Sequence, residues 1–84
     1  MTVDVAGDIT LDADGGDILF KDGGTGVLYF GIADSHATLM TQVSDKDMIF
    51  KGNDGGSTIT ALTLDMSAAG AATFNNDVTA FSDA

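Results

Sequence analysis

Asp17-Ile18-Leu19-Phe20-Lys21 returns further along the chain as Asp47-Met48-Ile49-Phe50-Lys51. Each copy runs into a Gly-rich turn, Asp22-Gly23-Gly24-Thr25 after the first and Asn53-Asp54-Gly55-Gly56-Ser57 after the second. A second phrase also recurs, with Ile9-Thr10-Leu11-Asp12 echoed by Leu62-Thr63-Leu64-Asp65. Strand-plus-turn phrases that repeat indicate a β architecture assembled from similar units.

Working outward from these phrases, apolar and polar residues alternate with period two, the mark of strands with one face turned inward. Val3 and Val5 oppose Asp4, and Ile9 and Leu11 oppose Asp8, Thr10 and Asp12. Ile18 and Phe20 share a face opposite Asp17 and Lys21. Val27-Leu28-Tyr29-Phe30-Gly31-Ile32 is apolar on both faces, so it belongs either in a core or at a subunit contact. His36 to Val43 alternates with Ala37, Leu39 and Val43 on one side, and 46–51 follows a turn at Ser44-Asp45. In 57–65 the inward set moves from odd positions (Ile59, Ala61) to even ones (Leu62, Leu64). That slip predicts a β-bulge or corner near Ala61. Ala68-Ala69-Gly70-Ala71 reads as a loop entering a strand at Thr73-Phe74, and 78–81 as a last short strand. Nine short strands leave no room for crossover helices, and the expected class is all-β in a single module, 1–84.

Composition agrees. All thirteen acids are Asp, Arg is absent, Gly occupies eleven positions, and the net charge is −10. Asp favours turns because its short side chain bonds nearby backbone N–H groups, whereas Glu and Arg are the usual helix fillers. A surface this acidic repels nucleic acid and anionic membranes, so neither is expected as a partner. No apolar run reaches the ~20 residues of a membrane span, and Met1-Thr2-Val3-Asp4 does not open a secretory signal. With no cysteine and a single histidine, His36, neither a disulfide nor the usual zinc site supports so short a chain. Self-association or a hard cation remains.

Three aspartates, Asp12, Asp14 and Asp17, flank the Gly15-Gly16 turn and supply the oxygen chemistry that Ca²⁺ takes. The spacing fails the EF-hand pattern. Gly23-Gly24-Thr25-Gly26 opens a nonapeptide calcium β-roll repeat, but Leu28 stands where its Asp belongs. An Asp that caps a tight turn explains the same residues. Nothing around His36 forms a nucleophile elbow, and the Gly-Gly turns lack the Lys-Ser/Thr of a phosphate loop. The chain is not expected to be an enzyme and needs no cofactor other than a possible Ca²⁺. The apolar residues Val27, Leu28, Tyr29, Phe30 and Ile32 are the expected self-association seam.

Gly7 to Thr25, from Gly7-Asp8-Ile9-Thr10-Leu11-Asp12 through Asp22-Gly23-Gly24-Thr25, resembles the repeated shaft segments of tail-fibre proteins from marine, cyanophage-like tailed phages. Residues 44–81 resemble the same family. Ala71-Ala72-Thr73-Phe74-Asn75-Asn76-Asp77-Val78-Thr79-Ala80-Phe81-Ser82-Asp83 is similar to the stretch that precedes an endosialidase-type intramolecular chaperone, whose first two residues Ser82-Asp83 match. The likeness covers 7–25 and 44–83, roughly two thirds of the chain; 26–43 has no counterpart in it. It implies an intertwined homotrimer in a virion or other extracellular fibre, with a host-surface receptor engaged elsewhere on the fibre.

The expectation is therefore a repetitive β-fibre, as an intertwined trimer or a β-solenoid-like stack, with a small β-sandwich as the alternative. Its role would be mechanical: a stiff, self-associated rod that serves host attachment. Two further readings stand beside it. One is a Ca²⁺-stabilised binding module of a secreted adhesin. The other is a subunit of an open β filament, since unprotected strand edges and stacked repeats favour edge-to-edge pairing.

Overall fold

The structure, a computed structural model, describes residues 1–80. It is all-β, with two three-stranded antiparallel sheets and a single short 3₁₀ turn among the described residues. The chain divides into two compact units, one ending at Met40 and one beginning at Thr41.

In the first unit, β1 (Asp17–Asp22), β2 (Thr25–Ala33) and β3 (His36–Thr41) lie in the order β1-β2-β3. Both connections are two-residue loops with positive φ at each residue, Gly23-Gly24 (58°, 87°) and Asp34-Ser35 (52°, 63°). Loops of this hand match the twist of the flanking strands and close tight hairpins. The β1–β2 ladder pairs Ile18 with Phe30, Leu19 with Tyr29 and Phe20 with Leu28, then steps to Lys21 with Gly26. Val27 is the extra residue, so the strand is bulged there.

In the second unit, β4 (Met48–Asp54), β5 (Ser57–Asp65) and β6 (Ala71–Phe74) lie in the order β4-β5-β6. The β4–β5 loop is Gly55-Gly56, with φ of 59° and 99°, and the Asn53 carboxamide oxygen accepts from the Gly56 N–H at 2.7 Å. Met48 pairs with Leu64, Ile49 with Thr63 and Phe50 with Leu62, and the register then steps to Lys51 with Thr60. Ala61 is the bulged residue, as the phase slip in the sequence predicted. Its carbonyl accepts from the Asn75 N–H at 3.0 Å. Both bulges therefore fall opposite the Phe-Lys step, Phe20-Lys21 in one hairpin and Phe50-Lys51 in the other.

Asp65 caps the 3₁₀ turn Met66–Ala68 that joins β5 to β6. Its carboxylate accepts from the Ser67 N–H at 3.1 Å and the Ser67 hydroxyl at 2.7 Å. These bonds, the hydroxyl's first, hold the Asp65 carboxyl below its ordinary range, against a weaker opposing desolvation. Ala69 (φ 57°) and Gly70 (φ 85°) then turn the chain into β6.

The nine expected strands become six among the described residues. The segments around Val3–Val5 and Ile9–Leu11 form no ladder, and neither do 78–80; Phe81, the end of the last expected strand, lies outside the described residues. Alternation reports which side chains share a face. It does not supply a neighbour to hydrogen-bond, and the chain offers these segments none. Elsewhere the bounds move by a few residues: β3 ends at Thr41 rather than Val43, and β4 continues to Asp54 because Gly52–Asp54 pair with Ile59–Ser57.

Candidate self-association surface

Residues directly opposite in an antiparallel ladder share a face, and so do residues two apart on one strand. In the first sheet this places Ile18 and Phe20 of β1 on one face with Leu28, Phe30 and Ile32 of β2. The Phe20 and Phe30 rings meet edge to face, with centroids 5.6 Å apart and planes at 68°. Phe30 and Ile32 continue onto Ala37 and Leu39 of β3, and together they line an apolar groove of about 380 Å³. In the second sheet Met48 and Phe50 share a face with Leu62, Leu64, Ala72 and Phe74.

The reverse face of the first sheet carries Asp17, Leu19 and Lys21 of β1 with Tyr29 of β2. Gly31, opposite Asp17, is buried under the Tyr29 ring, and a Cβ at that position would come within 2.6 Å of the ring. Glycine here lets the tyrosine lie flat along its own strand.

Neither apolar face is covered. Among the described residues no apolar side chain is fully buried. Phe30 remains 44% exposed and Ile32 66%, and Phe20, Ile49, Phe50 and Phe74 are exposed to a similar degree. The total accessible surface is 7198 Å². A compact monomer of this mass would expose about 4,700 Å², and two separate compact bodies of half the mass about 5,600 Å² together. Residues 1–16 carry part of the difference, since Met1, Val3, Val5, Ile9 and Leu11 are all exposed.

The five residues expected to form the seam all lie on β2. β2 is the middle strand of its sheet, so both of its backbone edges are paired within the unit. What it offers outward is side chains. Leu28, Phe30 and Ile32 lie on the grooved face, with Tyr29 on the other and Val27 at the bulge. Sequence reading found this strand because it is apolar on both faces. It passed over the equivalent face of the second sheet, where Met48, Phe50 and Phe74 sit in strands that look like ordinary one-sided core elements.

Among the described residues no group of three or more Asp, Glu, His or Cys side chains comes together as a metal site. Asp12, Asp14 and Asp17 are thus not gathered around one point. Asp14 sits in the turn closed by the Gly16 N–H on the Ala13 carbonyl at 2.8 Å, and Asp17 opens β1.

No family model, no curated protein and no solved structure matches this chain.

Proposed function

We propose that this chain is a structural module of a fibre, a β-rich segment that self-associates into a stiff rod and serves host attachment. The observation that carries this reading is the absence of a fully buried apolar side chain among the described residues of two otherwise regular sheets. The hydrophobic effect is the main favourable term in folding, and sheets with open apolar faces lack most of it. Covering those faces with further copies supplies it. The net charge of −10 keeps the outside of such an assembly soluble.

Two matters of construction support a repetitive shaft. The β1–β2 and β4–β5 hairpins both turn on paired positive-φ glycines, and both bulge at the same Phe-Lys step. A bulge tightens the local twist, so its repetition gives the two hairpins the same local geometry. The resemblance to phage tail-fibre shafts points the same way and favours three chains in a virion or extracellular fibre.

Sedimentation velocity combined with light scattering tests this reading. The expected result is one homo-oligomer, with three chains favoured, whose frictional ratio is well above that of a sphere. A compact monomer would overturn it.

A further inference from the structure

Unit two joins the two recurring phrases, and unit one leaves them apart. Leu62-Thr63-Leu64 lies antiparallel to Met48-Ile49-Phe50, with Leu64 opposite Met48, Thr63 opposite Ile49 and Leu62 opposite Phe50. The earlier copies are Ile9-Thr10-Leu11-Asp12 and Asp17-Ile18-Leu19-Phe20. The second of these forms β1, which pairs with β2 along one edge and is outermost in its sheet along the other. The first is in no strand, and among the described residues no backbone hydrogen bond involves 1–12. Ile9 is 56% exposed and Leu11 67%. A strand-forming phrase and a free edge of the matching phrase thus coexist without meeting.

The connection between them opposes pairing within one chain. Gly16, at φ 85°, donates to the Ala13 carbonyl, and neither Asp14 nor Gly15 has a positive φ. This is the three-residue hairpin loop that ends in a left-handed glycine, and it sets Ala13 opposite Asp17. Folding back in that register would put Leu11 opposite Leu19. A slip of one residue sends every side chain to the other face. Ile9 and Leu11 would then leave the apolar face of Ile18 and Phe20 for that of Lys21 and Tyr29. The loop is also held from the other side, since the Gly16 carbonyl accepts from the Ile32 N–H at 2.9 Å.

A strand from another chain carries no such constraint. We propose that Ile9–Asp12 of one chain adds as an antiparallel strand to the free edge of β1 in a second copy, in the register that the second unit displays. Leu11 then lies opposite Ile18, Thr10 opposite Leu19 and Ile9 opposite Phe20. Ile9 and Leu11 extend the face of Ile18, Phe20 and Phe30, and Asp8 takes the place that the bulged Ala61 has in the second unit. Asp12 falls beside Asp17, as Asp65 falls beside Asp47 in the second unit. There the Met66 N–H donates to the Asp47 carboxylate at 3.1 Å. Main-chain bonds from strand addition give the contact its strength, and the alternate side chains fix its register. This inference rests on the self-association proposed above and specifies which parts of two chains meet.

The chain has no cysteine, so engineered thiols report one contact each. Two full-length variants, Thr10→Cys and Leu19→Cys, are refolded together and oxidised, with light scattering on the same samples. Directly opposed residues bring their Cβ atoms near disulfide range. A covalent dimer linking positions 10 and 19 is expected for about half of the chains of an equimolar mixture, since a random neighbour carries the matching thiol half the time, and for neither variant alone. An oligomer that yields no such link overturns the strand addition and leaves self-association standing. A monomer overturns both. In the double variant, a disulfide closed within a single chain would overturn the choice of a second copy.

Discussion

Phe30→Asp is expected to leave the chain monomeric and largely without its cooperative fold at concentrations where the unmodified protein is assembled. In an isolated chain the substitution would be mild. Phe30 is already 44% exposed, and its main aromatic contact is the edge of Phe20. Changes at such surface positions usually stay near ~0.5 kcal/mol, with about 1 kcal/mol more for the lost ring pair. In the proposed assembly the same position would lie in an apolar seam with Leu28, Ile32 and Leu39. An unpaired carboxylate placed there would cost several kcal/mol, with neither a counter-ion nor water to reach it. Light scattering and far-UV circular dichroism on the variant separate the two cases. A variant with unchanged mass and unchanged melting would show that this face is solvent-exposed in the working protein.

Gly16→Ala is expected to cost about 2–3 kcal/mol, whereas Gly15→Ala next to it should stay under about 1 kcal/mol. Gly16 has φ of 85°, in the region L residues avoid, and a Cβ there would stand 2.6 Å from the Ile32 carbonyl oxygen. That oxygen belongs to the backbone and has no side-chain freedom with which to move away. The substitution also disturbs the bond from the Ile32 N–H to the Gly16 carbonyl, which extends the β1–β2 ladder beyond Asp17. At Gly15 a Cβ would meet nothing within 4 Å, and φ is not positive. Urea denaturation of the two variants checks the contrast. Equal losses would mean that the Ala13–Gly16 turn does not anchor the first sheet.

Most of the strand positions were legible because strand and turn signals are local. The Gly-Gly pairs mark hairpin loops whose backbone only glycine adopts freely, and alternation marks the flanking strands. The bulge at Ala61 was legible too, since Ile59 and Leu62 cannot share a face without one extra residue between them. The matching bulge at Val27 was not, because Val27 to Ile32 is apolar at nearly every position and a slip of phase leaves no trace. The segments around Val3 and Ile9 read as strands for the same reason Leu62–Leu64 does, yet only the latter has neighbours on both sides. A strand is a relation between two segments, and sequence alternation describes only one of them. The apolar residues on both faces of β2 were legible as a double-sided run. The open face of the second sheet was not, since one-sided alternation looks the same whether a core or solvent lies beyond it.

Copies of this chain are proposed to complete one another's hydrophobic cover. The most direct measurement is the urea midpoint, followed by circular dichroism, over roughly a hundredfold range of chain concentration. If the chains fold only as they associate, mass action raises the midpoint steadily with concentration, and the account expects that rise. A midpoint independent of concentration, with a sharp cooperative transition, would mean that one chain folds alone and would contradict it.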